Sequence, residues 1–235
     1  MPSTLYSNAA LTDARSDRLQ LGVSVLVTDG VIAWMGNVDD EPEPGSARVV
    51  DAGGTTIVPG MVDAHSHLTM PGGAHWIDRG FDSADELLQV AEDNAALALA
   101  SGVRWFRDVG SPVRDVEGAD RALALTVRDR WEARGREVPY IRAAGTWVSK
   151  AGTLPPGLAV EVNDADGFLA AAMQQLDDGA DLVKLYLDGP DKDTAPWTAN
   201  ETKAVVDAVH DRGAKVTAHA TRLAGAQVCA CLLYT

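Results

Sequence analysis

The sequence predicts an α/β fold: a parallel TIM-type (β/α)8 barrel that stops after about its fifth strand, preceded by a β-rich segment over residues 1–60. Three observations lead there. After Gly60, strand-like and helix-like runs alternate about every forty residues, as parallel βαβ units do. No Gly-rich dinucleotide or phosphate fingerprint follows the first of these strands, which favours a barrel over a Rossmann sheet. A complete barrel takes roughly 250 residues on its own, and a chain of 235 residues with a β-rich opening has too few for eight units.

Composition narrows the class of function. At 46% hydrophobic residues the chain can bury a substantial core. Its net charge of -14 opposes binding to nucleic acid or to an anionic membrane surface, so neither is expected as a partner. Residues 1–20 lack the pattern of a signal peptide and no stretch is apolar enough to span a bilayer, which predicts a cytoplasmic protein. Cys229 and Cys231 fit neither a disulfide framework nor a usual paired-cysteine zinc site.

Taken in order, residues 23–27 and 31–35 are apolar strands around Asp29-Gly30, a dipeptide suited to a tight hairpin. Residues 41–45 form an acidic, proline-containing turn, 48–51 and 55–58 add strands, and Pro59-Gly60 marks a boundary. Ser83 and Glu86 make a capping box for a helix through 87–100, with Gly102 as stop and 103–108 as the next strand. A helix over 121–133, its stop Gly135 and a strand over 140–144 repeat the unit. Asn163 or Asp164 caps a helix to Leu176, Gly179 ends it, and 181–186 is a strand. Thr198 and Glu201 cap a further helix, Gly213 stops it, and 215–219 is the fifth strand.

The chemistry gathers at strand ends. If residues 61–67 are extended, Asp63, His65 and His67 share one face. Two imidazoles then converge at the C-terminal end of a buried strand, where barrel enzymes keep their chemistry and where neutral histidine binds zinc-type ions. Along 182–188, Leu182, Lys184 and Tyr186 face inward, while Val183, Leu185 and Leu187 face the helices. A buried Lys184 ammonium needs a partner or must lose its charge. The same alternation turns Thr217 and His219 inward, so His65, His67, Lys184 and His219 meet at one rim. The structural alternatives are an aspartate paired with Lys184 and a hydrogen-bonded core role for His219. Asp63 lies two residues before His65 on the same face, about 6–7 Å further down the strand and too deep to share an ion with His67, and is read as a supporting residue and not a metal ligand. Tyr186 is the leading substrate contact. Trp147, Ser149 and Lys150, in a loop after the third strand, are weaker candidates. His75 in a loop and His210 in the last turn of a helix fall outside the site.

Val62-Asp63-Ala64-His65-Ser66-His67 after Val58-Pro59-Gly60, then Gly102-Val103 leading to Arg107-Asp108-Val109-Gly110, Lys184 on the fourth strand and Ala218-His219-Ala220 on the fifth resemble the metal-dependent amidohydrolase superfamily. The similarity is greatest to its imidazolonepropionase-like and prolidase-like branch and runs from Leu19 to about Val228. It implies a small β-sandwich segment over 1–60 and a partial metal-dependent hydrolase barrel over 61–228. His65 and His67 would hold one divalent ion and His219 a second, zinc being the expected metal. Lys184, carboxylated by carbon dioxide to a carbamate, would bridge them, because burial favours the neutral amine that carboxylation requires. The implied reaction is hydrolysis of an amide, cyclic amide or dipeptide-like C–N bond in a small molecule.

The resemblance also calls for a histidine after a sixth strand and an aspartate after an eighth, and neither is found. The chain is therefore expected to be a fragment, inactive and poorly soluble alone, with an anomalous tail over 229–235. A homo-oligomer of the full-length form stays open. Two other readings stand beside the binuclear one: a mononuclear imidazolonepropionase- or deaminase-type hydrolase with an unmodified Lys184, and a non-catalytic binding protein on the same fold.

Overall fold

The structure, a computed structural model, describes residues 2–232. Of the tail read as anomalous, residues 233–235 and the side chain of Cys231 lie outside the described residues. The chain divides into two compact units, Met1–Gly60 and Met61–Thr235.

The first unit is a five-stranded sheet of β1 (Ser3–Leu11), β2 (Gln20–Thr28), β3 (Val31–Asn37), β4 (Arg48–Asp51) and β5 (Thr56–Ile57). Its order is β3-β2-β1-β4, and β5 also pairs with β1. The Asp29-Gly30 turn closes the β2–β3 hairpin with both residues at positive φ, 52° and 73°, as a two-residue type I′ loop requires. β1 was not foreseen. Its Ser, Asn and Ala residues have weak strand preference, yet it lies centrally, paired with β2, β4 and β5, with Leu5 and Ala9 buried. Residues 41–45 are more than a turn, since Glu41 accepts hydrogen bonds from the hydroxyls of Ser7 and Ser24.

The second unit opens with β6 (Met61–Ser66), α1 (Trp76–Arg79), α2 (Ala84–Ala100), β7 (Val103–Asp108), β8 (Val113–Val116), β9 (Ala119–Ala122) and α3 (Leu123–Glu132). It continues through β10 (Tyr140–Lys150), β11 (Val160–Val162), α4 (Ala165–Asp177), β12 (Leu182–Tyr186), α5 (Ala199–Asp211), β13 (Lys215–His219) and α6 (Leu223–Leu232). The five strands expected from the sequence form one curled parallel half-barrel sheet in the order β6-β7-β10-β12-β13. Both predicted capping boxes form, Ser83 with Glu86 on α2 and Thr198 with Glu201 on α5. The outward residues Val183, Leu185 and Leu187 pack with Phe168, Val205 and Val209 of α4 and α5 in one buried cluster. Burial of each such side chain contributes about 1.5–3 kcal/mol.

Three local expectations are corrected. The helix read from Arg121 starts at Leu123, because residues 113–122 form the β8–β9 hairpin through Glu117 and Gly118, both at positive φ. His67 lies just past the end of β6, which stops at Ser66. The strand read over 140–144 runs on to Lys150, so Trp147 and Ser149 are strand residues. A bulge allows this extension. The β10–β12 register shifts between Ala144 and Trp147, and Gln175 Oε1 accepts the Thr146 N–H at 2.7 Å where a ladder partner is missing. Any side chain at Gly145 would meet that same oxygen, 1.8 Å from its Cβ position.

Helix α6 continues through residues 229–232 and begins hard against the end of β12. A Cβ on Gly225 would lie 2.2 Å from the Leu187 carbonyl oxygen. Gly→Ala inside a helix ordinarily stabilises by up to about 1 kcal/mol. Here the backbone of the strand end would have to move, so Gly225→Ala is expected to destabilise by about 1–3 kcal/mol in urea unfolding. A gain in stability would show that α6 does not seat on this strand end.

Candidate active site

The site is built where β6, β10, β12 and β13 end. Its walls enclose a cavity of about 610 Å³, which His67, Lys184, Tyr186 and His219 all line. Four of the five residues singled out from the sequence thus share one cavity. His65, the fifth, touches it through Lys184, whose Nζ lies 3.3 Å from His65 Nε2. The His65 and His67 rings are 5.6 Å apart, edge to face.

Each ring is oriented by a neighbour. His67 Nδ1 sits 2.7 Å from the Gly110 carbonyl oxygen. A carbonyl only accepts, so Nδ1 carries the proton and Nε2 keeps its lone pair. Gly110 adopts a φ of 116°, and the Trp147 indole lies against it, with its ring 5.3 Å from that of His67. His219 stacks on Tyr186, rings 4.6 Å apart and 3° from parallel, and its Nε2 lies 3.1 Å from Asp188 Oδ2. Asp63 Oδ1 accepts the His65 N–H at 3.0 Å, which ties that carboxylate to the backbone of its own strand.

Burial lowers the pKa of each basic group at the site. Desolvation lowers His67 to about 4, and the Gly110 hydrogen bond offsets it only in part. His65 is lowered first by burial and then by the positive charges of Lys184 and Arg107. His219 is lowered by burial against the pull of Asp188. Lys184 is 1% exposed, and burial, with the Arg107 guanidinium adding to it, pushes its amine down to about 8 although Asp108 acts the other way. No carboxylate lies within ion-pair distance of Lys184 among the described residues, so the aspartate-paired alternative does not hold. Its close polar contact is an imidazole.

Neutral imidazoles with free lone pairs beside an amine fit a divalent metal ion in kind. They do not complete a site by themselves. Among the described residues no three His, Cys, Asp or Glu side chains are grouped to hold an ion. The third donor next to His65 and His67 is the Lys184 nitrogen, which binds a cation only after losing its proton or becoming an oxygen donor.

Several functional candidates went unread in the sequence. Asp108 is 1% exposed, accepts the N–H groups of Leu68 and Gly110 at 2.8 and 3.0 Å, and is raised by burial to about 7. Asp188 and Arg222 line the cavity with Met70, Trp76, Ile77 and Leu158, which form its apolar side. An aspartate closing a strand just before Gly189-Pro190 was the available signal for Asp188. Among the weaker candidates, Trp147 reaches the cavity. Ser149 is buried without a hydrogen-bond partner, and Lys150 turns away to the Pro196 carbonyl and the Trp197 ring. His75 is exposed beside Asp78 and His210 sits in the last turn of α5, both apart from the cavity.

No family model matches the chain. It is 34% identical over 213 residues to an uncharacterized protein of Mycobacterium tuberculosis, covering 88% of this chain and 50% of that one. It is 37% identical over 206 residues to an imidazolonepropionase of Salinispora arenicola, covering 81% and 44%. The chain spans about half the length of these curated relatives. Its fold matches the crystal structure of a Xaa-Pro dipeptidase with methionine bound in the active site at a TM-score of 0.75 and 24% identity, over 96% of this chain and 58% of the other.

The pH dependence of stability tests the burial of His67. Between pH 4 and 6.5 the unfolded chain holds a proton on His67 that the folded chain does not, so this group makes stability rise with pH across that window. Asp108, raised to about 7, works in the opposite sense between 3.8 and 7. Subtracting the profile of His67→Asn from that of the unaltered chain should therefore leave a contribution that grows with pH from 4 to 6.5. A flat difference would mean that His67 is solvated.

Proposed function

This chain belongs to the amidohydrolase superfamily, in its imidazolonepropionase-like and prolidase-like branch, and we propose that it forms the catalytic part of a metal-dependent hydrolase of C–N bonds. The half-barrel sheet is then part of a TIM barrel, and the 1–60 unit is part of a small β-sandwich. The observation that carries the reading is Lys184: a buried amine with no carboxylate within ion-pair distance among the described residues, its Nζ 3.3 Å from the His65 imidazole at the strand ends.

Each residue has a distinct task in this reading. His65 and His67 would present Nε2 lone pairs to one divalent ion, zinc or a similar metal, and His219 would serve a second. Lys184 would take up carbon dioxide as a carbamate: the neutral nitrogen would bond to the carbon, one N–H proton would leave to solvent, and the product would supply two oxygens that share one negative charge. When bound, divalent ions supply Lewis acidity toward the scissile carbonyl and toward attacking water. Tyr186 offers its hydroxyl to the substrate from the cavity floor, and burial followed by the Asp188 charge raises its pKa, which keeps it a hydrogen-bond donor. The Trp147 indole and the apolar side formed by Met70, Ile77 and Leu158 exclude water from the bound molecule. The substrate is a small amide, cyclic amide or dipeptide-like compound, within reach of a cavity of about 610 Å³. We place the protein in the cytoplasm, and no helix among the described residues is long and apolar enough to cross a membrane.

The test combines metal analysis with amide-hydrolysis assays on the complete gene product. Two metals per chain and turnover of an amide are expected. Lys184→Ala should lose one metal and about 10²–10³-fold in kcat, the usual cost of removing one preorganised electrostatic group. Full turnover with one metal and an unmodified lysine would replace the binuclear reading with the mononuclear one. No metal and no turnover would favour a binding protein.

A further inference from the structure

We infer that Asp188 is a positioning residue that sets the tautomer of His219, making Nδ1 the lone-pair nitrogen of that ring. The inference rests on the reading of His219 as a site residue, but its geometry stands independently. Asp188 is 4% exposed and sits two residues past β12, where the strand gives way to Gly189. Its two oxygens face different partners. Oδ1 accepts the backbone N–H groups of Thr221 and Arg222, each at 2.9 Å, at the start of α6. Oδ2 accepts the Thr221 hydroxyl at 2.5 Å and lies 3.1 Å from His219 Nε2.

A carboxylate in that position is an acceptor on both oxygens, so the His219 nitrogen facing it must be the one that carries hydrogen. Nδ1 then holds the lone pair. Tyr186, stacked 3° from parallel, fixes the plane of the ring, and the Leu187 N–H bonded to the His219 carbonyl at 2.9 Å fixes the backbone beneath it. The imidazole has little freedom left except the position of its proton, and Asp188 decides that. His67 has the opposite arrangement, with Nδ1 protonated by its contact to Gly110. The two rings therefore keep their lone pairs on different nitrogens.

Asp188→Asn separates positioning from capping. The amide oxygen must stay on the side of the Thr221 and Arg222 N–H groups, because the NH2 group cannot accept from them, and this puts an N–H donor where Oδ2 was. His219 Nε2 would then have to accept, and the ring proton would move to Nδ1. Imidazole 15N NMR of the metal-free chain at a pH above the ring's titration reads this directly. The unaltered chain should give a protonated, pyrrole-type Nε2 and a pyridine-type Nδ1 for His219. Asp188→Asn should exchange the two types, with Thr221 and Arg222 amide signals retained, whereas Thr221→Ala should leave the tautomer alone.

Zinc titration adds an affinity readout, with a 10–100-fold loss expected for Asp188→Asn, the typical cost of disturbing a ligand's hydrogen-bond partner. A pyridine-type Nε2 in the unaltered chain would overturn the inference even if the variant fails to fold, as would an unchanged tautomer in Asp188→Asn. Correct tautomers with no zinc-dependent change at His219 would uphold the positioning role and count instead against His219 as a metal ligand.

Discussion

Burying one lysine among parallel strands is the constraint on which this site depends. An ammonium taken out of water without a counter-ion is strongly disfavoured, and Lys184 is neither exposed nor within ion-pair distance of a carboxylate among the described residues. Burial first, and then the positive field of Arg107, lowers the amine to about 8, while Asp108 acts the other way, and His65 Nε2 lies 3.3 Å from the nitrogen. Burial lowers the histidines as well, and the rings of His67 and His219 are oriented by a backbone carbonyl and a carboxylate, whereas His65 is exposed. A set of bases whose protons are held more weakly than usual gives them up readily and becomes a set of lone-pair donors. It is well suited to cations, and this links the electrostatics of the strand ends to a metal-assisted hydrolase.

The strand alternation that buries Lys184 also decides what surrounds it. Val183, Leu185 and Leu187 are held by α4 and α5, so the opposite face of β12 has no choice but to look into the cavity. The bulge in β10 then brings Trp147 level with Lys184. Without the extra residue at Gly145 and Thr146 the alternation of β10 would be inverted from there on, and the indole would leave the site. Gln175 makes the bulge affordable by accepting the Thr146 N–H. One buried amide on α4 thus connects helix packing to the wall of the cavity.

Much of this was legible in the sequence because it rests on short-range rules. The period of two along 182–188 and 215–219 assigned the inward faces of Lys184, Tyr186 and His219, and the two capping boxes placed the starts of α2 and α5. The Asp29-Gly30 hairpin followed from dihedral preference alone. The features missed depend on distant partners. β1 is a strand because it lies centrally in its sheet, despite its residue types. The extension of β10 needs Gln175, about thirty residues away, and β11 needs β10. His67 was assigned to the strand by the same alternation, but β6 stops one residue earlier and a hydrogen bond to Gly110 orients the ring. Asp188 had only the Gly189-Pro190 break as a local signal, and Asp108 stood in the Arg107-Asp108-Val109-Gly110 motif with nothing to show its role, since each works on a neighbouring loop.

Those two aspartates solve one problem in the same way. In a parallel sheet the ladder ends where the chains leave for their helices, and the first N–H groups of the departing loops lose their partners. Asp108, closing β7, accepts from Leu68 just after β6 as well as from Gly110 in its own loop. Asp188, just after β12, accepts from Thr221 and Arg222 just after β13. Each carboxylate therefore ties its own strand end to the loop of the adjacent strand, at the depth where the imidazoles project. Asp108 fixes the segment that carries His67 and the Gly110 carbonyl bonded to it, and Asp188 fixes the segment that carries His219. Burial raises the first to about 7, whereas its larger set of donors holds the second below the usual carboxylate range in spite of burial. Burial weighs more heavily on Asp108, which has only backbone N–H groups to offset it, whereas Asp188 has a hydroxyl and an imidazole in addition. Loop anchoring and ring orientation are thus one structural device, which is why the chemical groups of this fold can be rigid although they stand at the ends of its strands.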